Sequence, residues 1–140
     1  MKFDIRQMCD GDYPNIAVLL AEAALGNDGE ISQKQFRKLL LRNQGYCFVG
    51  TDRLTGRLAG CVFGAHDGAV YGFVYKLAVA EEFRHQGLGR GLVGATMASF
   101  KLAKIDRLFA HVQNRNQTSI KLFEGLGFEV RQGSVVVDNF

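Results

Sequence analysis

The chain has 140 residues, 47% apolar and 22% charged: enough apolar material for one core without disulfide or metal staples, and too little charge for a disordered chain. Lys and Arg number 17 and Asp and Glu 14, leaving a formal charge of +3, short of the dense basic face that marks a dedicated nucleic-acid binder. Glycine is the outlier, with 17 residues against a single proline, well above the usual ~7% share, so these glycines are expected to do local backbone work.

No internal repeat, charge block or low-complexity linker divides the sequence, and residues 1–140 read as a single domain. Phe3 to Gln7 alternates apolar and polar, as a half-buried strand does. Asp12 is expected to cap a helix with Pro14 in its first turn and Ile16, Leu19, Leu20 and Ala23 along one face; Gly26-Asn27-Asp28-Gly29 ends it. The apolar run Ile16 to Leu25 is broken by Glu22 and falls short of the ~20 residues a membrane span needs. Met1-Lys2-Phe3-Asp4 reads as the opening of a strand rather than a signal peptide. Ser32 and Gln35 then form a capping box, with Ile31 and Phe36 at the two positions of a hydrophobic staple.

Strands are predicted over Tyr46–Thr51, Leu58–Ala65 and Val70–Val79, with Asp67-Gly68 as a tight hairpin turn between the last two. From Gly87 to Lys104 the period is helical, with Leu88, Leu92, Ala95, Ser99 and Leu102 on one face. Arg107 to Val112 reads as a strand. Asn116 caps a short helix bearing Ile120, Leu122, Phe123 and Leu126, stopped by a left-handed Gly127. Two extended stretches, Phe128–Arg131 and Ser134–Val137, close a β-α-α-β-β-β-α-β-α-β-β order, a mixed α/β domain. The tail Val135-Val136-Val137 suits either a core strand or the edge of a homodimer. Cys9, Cys47 and Cys61 lack CxxC or zinc spacing and sit in apolar stretches, which predicts buried, reduced thiols, no metal, and a cytoplasmic home.

The densest glycine cluster is Arg84-His85-Gln86-Gly87-Leu88-Gly89-Arg90-Gly91-Leu92-Val93-Gly94, after a strand and at the start of a helix. The first amides of a helix have no internal partner, and the dipole adds partial positive charge there. Glycines let a phosphate approach, and Arg84, His85 and Arg90 add cationic donors, so the turn suits a pyrophosphate. Gly89-x-Gly91-x-x-Gly94 formally fits a dinucleotide fingerprint. Its context does not: polar Glu81-Glu82-Phe83-Arg84-His85-Gln86 separates it from Val79, and Gly91 and Gly94 fall inside the helical period, where helix-on-sheet packing explains them.

Arg84-x-x-Gly87-x-Gly89 following Leu77-Ala78-Val79 resembles the acyl-CoA signature of the GNAT superfamily of N-acetyltransferases, and Asn116-x-x-Ser119-Ile120-x-Leu122-Phe123-Glu124-x-Leu126-Gly127-Phe128 is similar to the family's second signature. The resemblance is tight from about Tyr75 to Phe128, and it implies a GNAT-like, mostly antiparallel central sheet with flanking helices. Implied with it are acetyl-CoA as co-substrate and an amine acceptor that is a small molecule or a peptide; the modest charge and the short apolar run add the expectation of no nucleic acid or membrane partner. By motif position, the backbone of Leu77, Ala78 and Val79 would hold pantetheine and the acyl carbonyl, where a fixed amide stabilises a developing oxyanion. His85, Gln86, Gly87, Leu88, Gly89 and Arg90 would cradle the pyrophosphate, and Asn116 would bind the pantetheine arm.

Attack by an amine also needs a base, because an alkylammonium is protonated at neutral pH. His111 is the candidate: it lies five residues before Asn116, where the branch acting on ribosomal-protein N-termini carries a glutamate, and imidazole suits the task. Glu81 and Glu82 are fallback bases through water, and His66 reads as a turn residue. Phe123 occupies the position of the family's tyrosine acid and cannot protonate a leaving thiolate; Tyr71 and Tyr75 are possible substitutes. Lys76 stands where relatives often carry an acid. These departures keep a non-catalytic acyl-CoA sensor as the second reading beside acetyl transfer.

Overall fold

The structure, a computed structural model, describes residues 2–23, 31–112 and 116–131. Five strands form one sheet in the order β1 (Phe3–Gln7), β2 (Phe48–Asp52), β3 (Leu58–His66), β4 (Tyr71–Val79) and β5 (Arg107–Ala110). The first four pair antiparallel, and β5 runs parallel to β4. A parallel neighbour requires a crossover, supplied by α3 (Leu88–Leu102). Helices α1 (Tyr13–Glu22) and α2 (Gln33–Arg42) cover the opposite face, and α4 (Gln117–Gly125) lies beside the start of α3. The expected mixed, mostly antiparallel α/β architecture is therefore present.

Two cores flank the sheet. On one face Ile16, Leu19, Leu20 and Phe36 meet Cys47, Val49, Cys61 and Phe63. On the other, Leu88, Leu92, Val93 and Phe100 meet Ala59, Val62 and Val74. The glycine excess finds its main explanation on this second face. A Cβ at Gly50 would lie 2.5 Å from Leu88, at Gly60 3.0 Å from Leu88 and Leu92, at Gly64 2.8 Å from Thr96, and at Gly72 3.1 Å from Phe100. Residues 88, 92, 96 and 100 are one i+4 ridge of α3, seated in a trough of sheet glycines. That packing fixes where the first turn of α3 lies.

Several local expectations hold. Gln35 N–H donates to Ser32 Oγ (3.1 Å) while Ser32 N–H donates to Gln35 Oε1 (2.9 Å), the reciprocal cap read from the sequence. Gly127 (φ +95°) closes α4: Phe128 N–H donates to Phe123 O and Gly127 N–H to Glu124 O, both 3.0 Å. The Phe123 and Phe128 rings meet edge to face at 5.0 Å, completing a Schellman stop with its hydrophobic contact.

Others are corrected. Asp12 does not cap forward: its carboxylate accepts from Cys9 N–H (2.9 Å) and from two nitrogens of Arg6 (2.9 and 2.7 Å), tying β1 to the turn before α1. The β3–β4 connection spans residues 67–70 instead of two, because Asp67 Oδ1 accepts the amides of Ala69, Val70 and Tyr71 and winds the chain around itself. Cys9 is exposed, whereas Cys47 and Cys61 are buried. β5 ends at Ala110 rather than Val112. Residues 128–131 are not in a strand, and the Phe128 amide is bonded back to Phe123 O in the helix stop. The predicted Gly26–Gly29 break and the Ser134–Val137 stretch, with its homodimer edge, lie outside the described residues. Among the described residues no helix is long and apolar enough to cross a membrane, and no group of His, Cys, Asp or Glu could hold a metal ion.

Candidate active site

β4 and β5 are paired over four rungs, Tyr71–Arg107 to Val74–Ala110. There β5 ends, while β4 runs on to Val79. Beyond the last rung a gap opens between the two strands. Within it β4 is irregular: Phe63 pairs with Tyr75 and Cys61 with Ala78, so Val62 faces both Lys76 and Leu77. Two residues against one is a bulge, and Lys76 takes it up at φ +48°. As a result Tyr75 and Ala78 pack toward α1 and α2, whereas Leu77 and Val79 pack toward α3. Sequence reasoning missed this break; the apolar run Val74 to Val79, interrupted by one lysine, was its faint trace.

The chain then turns through residues 81–83 into α3. His85 (φ +62°) and Gly87 (φ +87°) both have left-handed backbones. Such turns present successive amides to one side, the geometry of an anion nest. Gly91 N–H makes the bond to Gly87 O (3.1 Å), so the amides of Leu88, Gly89 and Arg90 precede the helical ladder. A Cβ at Gly87 would meet nothing within 4 Å, and at Gly89 it would meet only Leu122 and Val79. Arg84 Nε donates to Val79 O (2.9 Å) and Arg90 Nη2 to Gly125 O (3.3 Å); these bonds hold both exposed guanidiniums beside the turn with donors to spare. The Leu88 side chain is buried at 3% exposure, leaving its amide as the available group. Gln86 donates to Glu82 O. The residues of the turn thus fit a diphosphate. Gly91 is a packing glycine, its absent Cβ lying 2.8 Å from Ile5.

The remaining candidates are divided. His111 follows the last β5 residue and is exposed, at the mouth of the opening. Asn116 caps α4, its Oδ1 accepting Ser119 N–H (3.2 Å). Phe123 is a core ring, 7% exposed. Glu82 pairs with Arg57 at 2.6 Å, which weakens its case as a base. His66 Nδ1 accepts Gly68 N–H (3.0 Å), consistent with a turn role. Tyr71 is exposed against Phe109. Tyr75 packs on Phe63, and burial pushes its hydroxyl well up, so it keeps its proton at neutral pH. Burial likewise pushes the Cys47 and Cys61 thiols up to about 11 and about 12, which leaves neither as a thiolate nucleophile.

The model of the acetyltransferase (GNAT) family matches residues 13–128. The chain belongs to that family. Among relatives, a mycothiol acetyltransferase of Thermobifida fusca is 29% identical over 97 residues, 64% of this chain and 30% of that protein; one of Corynebacterium aurimucosum is 31% identical over 68 residues, 49% of this chain and 22% of that protein. The chain spans less than a third of these relatives. Among solved structures, Ard1 of Thermoplasma volcanium superposes with a TM-score of 0.82 at 18% identity, covering 94% of this chain and 85% of that one. The NatC complex bound to Gag peptide and CoA gives 0.81 at 20%, covering 94% and 87%. These neighbours confirm the GNAT fold.

Proposed function

We propose that this acyltransferase moves an acetyl group from acetyl-CoA to a primary amine by direct attack in a ternary complex. The observation that carries the reading is the continuity of three features: the amide-lined turn at 84–89, the bulged end of β4, and the gap beyond the Val74–Ala110 rung. The diphosphate is held by the amides of Leu88, Gly89 and Arg90 and the cations around them, and the thioester lies along the exposed edge of Leu77–Val79. A backbone amide there stabilises the oxyanion that forms as the amine attacks. The new C–N bond replaces the C–S bond, the amine loses a proton, and CoA leaves as the thiol. His111 takes the ammonium's extra proton before attack, and the second proton, lost by nitrogen as the amide forms, ends on the departing sulfur. With Cys47 and Cys61 held as buried thiols, no acyl-enzyme is required.

A CoA neighbour supports the co-substrate: the NatC structure holds CoA and a peptide. Free thiols suit a reducing, cytoplasmic setting. One observation favours a non-catalytic acyl-CoA sensor instead, the buried Phe123 in place of a hydroxyl acid. A thiol leaves without that acid at tolerable cost, so transfer remains the stronger reading. Thiol release from acetyl-CoA over a panel of amines and peptides separates the two. Turnover with any acceptor supports transfer; acetyl-CoA binding without turnover supports the sensor. His111→Ala should slow release by about 10²-fold or more and flatten the pH–rate profile; an unchanged profile removes His111 from the mechanism.

A further inference from the structure

Resting on the acetyl-transfer reading, we propose that the acceptor is the amino terminus of an acidic polypeptide, laid along an aromatic strip of β4 and β5 with its carboxylates in a cationic cleft beside α2. Helix α2 carries Lys34, Arg37, Lys38 and Arg42 and no acid. Arg37 is paired with Asp10. Lys34, Lys38 and Arg42 stand four residues apart on one exposed stripe, and no ion pair engages them among the described residues. Like charges at this spacing weaken a helix, so the stripe has a cost that a bound anion would offset.

Lys38, Leu41 and Arg42 line an open cleft of about 530 Å³ together with His66 and Gly68 of the β3–β4 connection. Asp67 in that connection has its Oδ1 engaged by three backbone amides, and Lys38 and Arg42 together outnumber its single negative charge beside the cleft. Where the connection ends, Tyr71 opens β4 on a rung with Arg107. Tyr71, Phe73 and Phe109 are 39%, 46% and 46% exposed, with ring centroids 5.7 and 5.9 Å apart. They lie on the face away from α3, because Leu108 and Ala110 pack toward α3. The strip runs to the Val74–Ala110 rung, where the strands part and His111 follows.

Three residues separate the Tyr71 and Val74 rungs, or about 10 Å at ~3.3 Å per extended residue. A peptide whose terminal nitrogen reaches the gap therefore covers the strip with its first three residues. From about the fourth residue onward it reaches the cationic cleft. Its nitrogen bonds to the acetyl carbon as C–S breaks, and the proton lost by nitrogen accounts for the CoA thiol. A polycationic small amine would be repelled along the same path.

Fluorescence anisotropy with two C-terminally labelled peptides tests this on the full chain. They share a neutral N-terminal tripeptide and differ downstream, one with alternating glutamates and the other with glutamines. The glutamate peptide should bind about tenfold tighter at low salt, the sum of several exposed ion pairs. Lys38→Glu combined with Arg42→Glu should abolish that preference, and Lys38→Gln should reduce it with an unchanged circular dichroism spectrum. Equal affinity for both peptides, or a preference untouched by the charge reversal, overturns the inference; so does concentration-dependent dimerisation that buries the strip. Thiol release from acetyl-CoA with the same peptides is read separately. Acid preference without any release would sink the acetyl-transfer reading and leave the docking surface standing.

Discussion

The two faces of the sheet are built by different means. Toward α3 the contact is made by absence: Gly50, Gly60, Gly64 and Gly72 leave notches that Leu88, Leu92, Thr96 and Phe100 fill. Toward α1 and α2 it is made by bulk, with Phe36 edge-on to Phe63 at 6.2 Å and Phe63 tilted against Tyr75 at 5.7 Å. A notched face admits a helix in one register, which fixes the α3 turn to within a side chain. The bulky face stops short of β5 and leaves Tyr71, Phe73 and Phe109 uncovered. The face that seats α3 and the 84–89 turn thus depends on backbone and small residues, whereas the opposite face depends on side chains.

Filling a notch should have the largest effect. At Gly64 a Cβ would stand 2.6 Å from Tyr46 O, a backbone atom unable to yield, and Gly64→Val should cost about 3 kcal/mol, lowering the melting temperature by about 10 °C. An unchanged melting curve would mean that α3 is free to shift. A smaller loss is expected on the other face from Asp12→Asn, about 1–2 kcal/mol after discounting the half-exposed Arg6 partner. Burial raises the Asp12 carboxyl, but the bonds from Arg6 and Cys9 outweigh it and hold the group below its ordinary value. Its stabilisation is therefore complete above the ordinary carboxylate range and fades as pH falls through the depressed value. Denaturant melts of wild type and Asp12→Asn should accordingly converge in acid; a constant difference would contradict the assignment. The smallest effect concerns reactivity alone: a thiol reagent at neutral pH should label Cys9 in the native protein and reach Cys47 and Cys61 only on unfolding. Rapid native labelling of all three would show that the α1–α2 core is open.

Much of this was legible because it is local. The Ser32–Gln35 box and the Gly127 stop are short-range chemistry, and both formed as read. So was the 84–89 turn, since glycines and cations before a helical period carry their own explanation. What escaped depended on partners distant in sequence. Asp12 looks like a cap until Arg6 claims it; Asp67-Gly68 looks like a two-residue turn until one carboxylate gathers three amides. The sheet glycines are silent without α3 laid across them, and the Lys76 bulge needs β3 beside it to be counted. His111 reads from the sequence as a strand residue facing a gap, but β5 ends at Ala110 and leaves it just past the strand.

Titration calorimetry of acetyl-CoA against wild type and Gly89→Val tests the diphosphate turn most directly. The added Cβ meets only the flexible end of Leu122 at 3.0 Å and Val79 at 3.9 Å, contacts that side-chain rotation relieves, while the branched side chain crowds the approach to the amides. Wild type should bind, and the variant should bind at least about tenfold more weakly while keeping a native circular dichroism spectrum and a cooperative melt. Equal affinity in the two proteins, or no binding by wild type, would contradict it.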